Sequence, residues 1–161
     1  MGDVSVKKTV MVLGYIFVVL IVVLIAGFVS LTVLGSRLDK ESKAFVDAAI
    51  PAIVSTWDVS EIEKRASPEF NDEVDYDELE QDLGTLQQLG KLVEYKGSTG
   101  DANITLSLQD GYEITADYTA SADFEAGSTN MRMSLIKHGG QWQILDFKIN
   151  PEEFNERSDI I

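Results

Sequence analysis

Apolar and polar residues alternate almost without interruption between Tyr112 and Glu125. Tyr112, Ile114, Ala116, Tyr118, Ala120, Ala122 and Phe124 fall on one side of an extended chain, and Glu113, Thr115, Asp117, Thr119, Ser121, Asp123 and Glu125 on the other. A period of two over this length predicts one long, half-buried strand at 112–125. The same pattern predicts strands at 91–96, at 103–109 with Ile104, Leu106 and Leu108 facing alike, and at 128–138 with Met131, Met133 and Leu135 facing alike. Asp110-Gly111 and Gly139-Gly140 are two-residue hairpin signals, and Gly127 marks a further turn. The segment 141–150 breaks phase: Trp142 and Ile144 share one side, while Leu145, Phe147 and Ile149 take the other. Either a β-bulge lies near 144–145 or this strand is covered on both faces, and Pro151 ends it.

Upstream the period lengthens to that of a helix. Phe45, Ala49, Ala52, Ile53 and Trp57 form a stripe that predicts a helix at about 39–56, with Pro51 expected to kink it. Asp58 and Glu61 have the spacing of a capped helix start, which predicts a short helix at 59–66. Ser67-Pro68 opens another turn, with proline at the first helical position. Leu79, Leu83, Leu86 and Leu89 recur at intervals of four and three, predicting a helix at 75–89 stopped by Gly90. Three helices followed by an antiparallel meander of four to five strands define an α+β domain, helices against one face of a curved sheet.

The first part of the chain reads differently. Residues 9–36 contain no charged side chain. About 26 helical residues reach roughly 39 Å, against a hydrocarbon core of about 30 Å, so the expectation is a transmembrane helix at 9–35 after a short tail at 1–8. A cleaved signal peptide has an apolar core of only about 7–15 residues, which this run exceeds. Gly14 is followed by an acid-free stretch, which excludes a pilin-like processing site, and Val6 stands where a myristoylation signal needs Ser or Thr. Lys7 and Lys8 precede the run and Arg37, Lys40 and Lys43 follow it, so basic residues do not decide orientation; a long domain crosses largely regardless of charge. The preferred topology places the tail inside and residues 36–161 outside the cytoplasm. Ala26 and Ser30 form a small-xxx-small pair suited to helix packing.

Charge narrows the partners. The chain has 27 acidic residues against 13 basic ones and a formal net charge of −14, which disfavours nucleic acid. The absence of cysteine excludes disulfides, thiolate metal sites and a cysteine nucleophile.

The kinked helix, "STWDVSEIEKRASPEF", the leucine-rich helix, the long strand "ADYTASADFEAGS" and the closing "MSLIKHGGQWQILDFKI" together resemble the nuclear-transport-factor-2-like, cystatin-like α+β roll. The chain is similar to small membrane-anchored bacterial domains of that type, over roughly residues 40–150. The resemblance implies a sheet curled around a helix, a cavity at its open end and frequent dimerisation. It also implies a bacterial inner membrane with the domain in the periplasm. The roll serves enzymes and non-catalytic binding modules alike, so it does not assign a function.

Candidate chemistry is sparse. His138 is the only histidine and sits at a strand end, where a surface role outweighs a metal or acid–base role. Histidine and aspartate of the dehydratase-like members find no residue-by-residue match, so no catalytic residue is assigned. The acidic run "PEFNDEVDYDELEQD" lacks the glycine of a calcium loop and is explained by helix capping through Asp75 or Asp77. Asn103-Ile104-Thr105 is a glycosylation sequon of use only in a eukaryotic secretory pathway. Tyr118, Trp142 and Asp146 are the candidate ligand-binding residues at the mouth of the roll. Asp146 has the phase of Trp142 and Ile144, and burial would raise its pKa if that face lines the cavity. Toward water it is only a polar residue, and the broken phase near Ile144 leaves its side open. No metal or other cofactor is expected. The leading expectation is a single-pass, membrane-anchored interaction or accessory module with a protein partner or a second copy; the alternative is a small-molecule binding protein or enzyme.

Overall fold

The computed structural model describes residues 3–107 and 111–150, with side chains described at 15–25, 35–105 and 112–149. The chain divides into two units, residues 1–37 and 38–161. The elements run α1 (Asp3–Thr56), α2 (Val59–Glu63), α3 (Pro68–Glu73), α4 (Tyr76–Leu86), a 3₁₀ turn at Gln87–Leu89, then β1 (Leu92–Ser107), β2 (Gly111–Phe124), β3 (Gly127–His138) and β4 (Gln141–Asn150). The four strands form one open antiparallel sheet in the order β1-β2-β3-β4, so the second unit is an α+β domain.

In the first unit, the side chains at 15–25 are apolar and exposed without interruption. Among the described residues no helix is long and apolar enough to cross a membrane. Of the span expected at 9–35, the side chains at 9–14 and 26–34 lie outside the described residues, and with them the Ala26/Ser30 pair. The side chains of Lys7 and Lys8 lie outside them too, as do residues Asp110 and Pro151.

Helix starts follow the sequence closely. Asp58 Oδ1 accepts from the Ser60 amide at 2.8 Å, Ser67 Oγ from the Phe70 amide at 3.2 Å, and Asp75 Oδ1 from the Asp77 amide at 2.9 Å. Each satisfies an amide that the first helical turn leaves free. The acidic run is therefore used in part as capping. The helix expected at 59–66 is shorter, because Ser67 and Pro68 restart the chain as α3 one turn later. The helix expected at about 39–56 is the C-terminal part of α1, which continues through Pro51 to Thr56.

The core lies between the helices and one face of the sheet. Val46, Ile50 and Ile53 of α1 are wholly buried, as are Leu83 of α4, Ala116, Tyr118 and Ala122 of β2, and Met133 and Leu135 of β3. Each buried branched side chain contributes about 1.5–3 kcal/mol relative to exposure. The α1 stripe is turned from its expected centre: Val46, Ile50 and Val54 are buried, whereas Phe45 and Ala52 are only partly so.

Three register shifts set the sheet. The strands expected at 91–96 and 103–109 are one strand, β1, whose register against β2 shifts between Leu92 and Glu94 and between Tyr95 and Ser98. Gly97, at φ +92°, supplies the left-handed residue at the second shift. The gap at 97–102 between the two expected strands is thus continuous strand, with a bulge at 96–97. On the other edge, Ser134 pairs with Asp146 but Leu135 with Ile144, so Leu145 is the extra residue of a bulge. That accounts for the broken phase of β4: Trp142 and Ile144 before the bulge, and Phe147 and Ile149 after it, all pack toward the core. The Ile144 amide donates to the Arg65 carbonyl at 2.8 Å, and its carbonyl accepts from the Ser67 amide at 2.9 Å, which ties the α2–α3 connection to β4.

Gly100 faces Tyr118 across the β1–β2 pair, and a Cβ there would lie 1.9 Å from the Asp117 carbonyl oxygen. Gly100→Ala must therefore push the two backbones apart. We expect a loss of at least about 3 kcal/mol in urea unfolding of the full-length protein in detergent, the upper range for overpacking. An unchanged midpoint would show that β1 and β2 do not approach this closely.

Candidate functional site

Where α1 lies along β1 in the second unit, titratable side chains bond to one another and to backbone. Asp47 Oδ1 accepts from Tyr95 Oη at 2.8 Å, from Ser98 Oγ at 2.6 Å and from the Ser98 amide at 3.1 Å. Its Oδ2 takes the Lys43 ammonium at 3.0 Å, and Lys43 also donates to the Ser98 carbonyl and hydroxyl. Two turns earlier, Asp39 Oδ1 accepts from the Ala102 amide at 2.9 Å. Between them, Tyr118 Oη lies 2.9 Å from Ser42 Oγ and donates to the Asp39 carbonyl at 3.1 Å.

This spacing is metrically matched. Asp39 and Asp47 are eight residues apart, about 12 Å of helix rise. Ala102 and Ser98 are four apart, about 13 Å of strand. The helix therefore runs antiparallel to β1 and offers a carboxylate to two of its amides in turn.

A serine, a lysine, an aspartate and a tyrosine in mutual contact have the makings of a nucleophile and its base. Their bonding directs them otherwise. Both Asp47 oxygens are engaged, the Ser98 hydroxyl is given to Asp47, and Lys43 is shared between Asp47 and Ser98. Burial tends to raise the Asp47 pKa, but hydrogen bonds from Ser98, Lys43 and Tyr95 outweigh it and hold the carboxyl below its ordinary range. Tyr95 is pushed the opposite way, by burial and then by its bond to Asp47, so its phenol stays protonated and donating. Burial likewise raises Tyr118. The cluster is a clamp: its hydrogen bonds hold Asp47 ionised and Tyr95 donating, which secures α1 on β1.

The three candidate ligand-binding residues are not brought together. Tyr118 is buried under α1, its hydroxyl bonded within the seam. Trp142 is buried at the β3–β4 hairpin end, with the Lys137 ammonium 5.2 Å from its ring centre and that ammonium 2.6 Å from Glu41 Oε2. Its indole nitrogen, like that of Trp57, is buried and has no hydrogen-bond partner among the described residues. Asp146 occupies the opposite face: the Leu145 bulge turns it away from Trp142, and it pairs with Lys148 at 2.9 Å. Of the two sides the sequence left open for Asp146, the bulge gives it the outer one.

His138 lies 3.0 Å from Glu69 Oε1, a half-exposed pair joining the β3–β4 hairpin to α3. Among the described residues, no group of three or more His, Asp or Glu side chains is placed to hold a metal ion. The openings are shallow. One, of about 270 Å³, lies between α4 and β4, lined by Leu79, Leu83, Leu86, Phe147 and Ile149, with Asp82 and Lys148 beside them. Another, of about 290 Å³, is formed by Asp117, Thr119 and Arg132 with Tyr118.

No family model, no curated protein and no solved structure matches the chain.

The seam went unseen in the sequence because the helical stripe was traced through apolar residues alone. Asp39, Ser42, Lys43 and Asp47, at intervals of three, one and four, carry the signal. Removing the central carboxylate tests it. Asp47→Ala deprives Tyr95, Ser98 and Lys43 of their acceptor, and we expect a loss of roughly 2 kcal/mol near neutral pH, discounted for the partial exposure of the site. Because the folded pKa of Asp47 lies below the ordinary 3.8, its stabilisation is present above that value and is lost as pH falls through the folded pKa. The gap between wild type and variant should narrow below about pH 4 in urea titrations; a gap independent of pH would refute the charged clamp.

Proposed function

We propose that this chain is a single-pass, membrane-anchored interaction or accessory module, its α+β domain held on the extracytoplasmic side and acting by contact rather than by catalysis. The observation that carries this reading is the spending of polar groups inside the domain. Tyr118, Ser42, Asp39, Asp47, Tyr95 and Ser98 bond to one another or to backbone. A reaction chamber needs convergent polar groups left for a substrate.

Apolar surface remains outside instead. The exposed run at 15–25 lies within the uncharged stretch 9–36, and a helical run of that length is long enough for a bilayer. The groove between α4 and β4 offers leucine, isoleucine and phenylalanine beside Asp82 and Lys148, which suits a side chain or short segment of a protein partner. The succession of helices and then meander supports reading the domain with the nuclear-transport-factor-2-like roll, in a bacterial envelope. The small-molecule alternative draws on the same groove, but this one is open and at the lower limit of ligand-pocket size.

Two measurements test the proposal. The full-length protein should stay with membranes through an alkaline carbonate wash, and a chain lacking residues 1–35 should be released; loss of the full-length protein in the wash would remove the anchor. Purification in gentle detergent after crosslinking should then recover a stoichiometric protein partner or a homodimer. A monomer carrying a bound small molecule would transfer the function to the alternative.

A further inference from the structure

β4 is an outer strand of the open sheet, and its outer edge is unevenly occupied. At its centre the α2–α3 connection bonds both backbone polar groups of Ile144. Past Ile144, no backbone group outside β3 bonds to β4 among the described residues. The α4–β4 groove lies along this stretch, and Phe147, Lys148 and Ile149 all line it. Successive strand residues point to opposite faces, so an opening that touches all three follows the backbone edge rather than one face. Its other wall is Leu79, Leu83 and Leu86 of α4. Three strand residues span about 10 Å, and the rise from Leu79 to Leu86 is about 10.5 Å. The two walls therefore match over about three residues of extended chain. Leu79, Leu86, Phe147 and Ile149 are only partly buried, which leaves apolar surface for an occupant.

Charge narrows the occupant. Between Arg65 and Lys91 the chain has no basic residue. α4 carries Asp77, Glu78, Glu80 and Asp82, all exposed, and none forms an ion pair with a described residue. Asp82 lines the groove itself, while Lys148 on the opposite rim is paired with Asp146. The groove thus has an apolar floor, an acidic rim on the α4 side and a neutralised one on the β4 side. A second copy, with its net charge of −14, complements that rim poorly. So do residues 151–161, where Glu152, Glu153, Glu156 and Asp159 stand against Arg157. An unpaired strand edge beside an apolar groove takes an added strand, whose alternate side chains fill the groove. The acidic rim selects a strand that is cationic.

We infer that the edge of β4 at 147–149 receives an extended, cationic segment of a protein partner. Its backbone adds to β4, its apolar side chains enter the groove against Leu83, Leu86 and Phe147, and Lys or Arg beside them meets Asp82 and the other α4 carboxylates. The inference rests on reading the domain as a contact module, and gives that module's partner a chemistry.

The full-length protein is made with photoreactive benzoylphenylalanine in place of Leu86 in the groove or, as a control, of exposed Val93 on β1. It is irradiated in cells, and the adducts are mapped by mass spectrometry. Position 86 should crosslink to a protein partner within a segment that alternates apolar residues with Lys or Arg, and position 93 should not. Asp82→Lys should cut that adduct several-fold, whereas Glu94→Lys, the same charge change on β1, should leave it unchanged. Urea midpoints equal to wild type confirm that both variants fold. An adduct within residues 151–161 of the same chain, or with a second copy, would overturn the inference and name that occupant instead. An adduct in an acidic or uncharged segment, or one indifferent to Asp82→Lys, would overturn the cationic partner. A stoichiometric partner recovered in gentle detergent that position 86 does not reach would overturn this site and leave the contact-module reading standing. Neither partner nor adduct would overturn both.

Discussion

The carboxylates of α1 decide where the helix lies on the sheet. Burial of Val46, Ile50 and Ile53 draws the helix to the apolar face, but apolar contact alone leaves it free to slide or rotate by a residue. Asp39 and Asp47 remove that freedom, because only one placement presents both to the Ala102 and Ser98 amides. The match between eight helical residues and four strand residues makes the two contacts simultaneous. Tyr118, fixed between them through Ser42 and the Asp39 carbonyl, ties the middle strand to the same register. A mispositioned helix would leave buried donors unpaired, at a cost comparable to the bonds themselves.

Legibility of the sequence varied with the physics of each element. β2 was plain because one face is core and the other solvent, so its pattern is an unmixed period of two. Helix starts were plain because Asp58, Ser67 and Asp75 act locally, on amides two or three residues away. β1 was divided in the reading because Gly97, Ser98 and Gly100 resemble a turn; its continuity depends on the partner strand, which a local pattern does not contain. The same limit applied to the candidate site. Asp146 has the parity of Trp142, but the broken phase near Ile144 left its side open, and the extra residue at Leu145 puts it on the outer face. The polar seam joins residues some fifty to eighty positions apart, such as Asp47 with Ser98 and Ser42 with Tyr118. Its helical half could be traced in the sequence, its strand half could not.

The bulges also divide labour between the faces of the sheet. By inserting Leu145, β4 keeps Ile144, Phe147 and Ile149 all toward the core, and hands Asp146 and Lys148 to the outer face. That face, with Asp117, Thr119, Arg132 and Ser134, is polar and internally bonded, as in the 2.6 Å contact from Ser134 to Asp117. Among the described residues of the second unit, exposed apolar surface is left in the α4–β4 groove and at Val93, Ile104 and Tyr112.

The bonds from Arg65 and Ser67 to Ile144 have a further meaning for how such domains coexist at high local concentration. An open sheet presents bare backbone at its outermost strands, and bare backbone templates the addition of foreign strands. On β4 the α2–α3 connection occupies both polar groups of Ile144, with Ala66 bridging it in parallel. A strand arriving from a neighbouring molecule would have to evict that connection before it could zip onto the centre of β4. Copies of this domain are thereby steered away from pairing through the centre of β4.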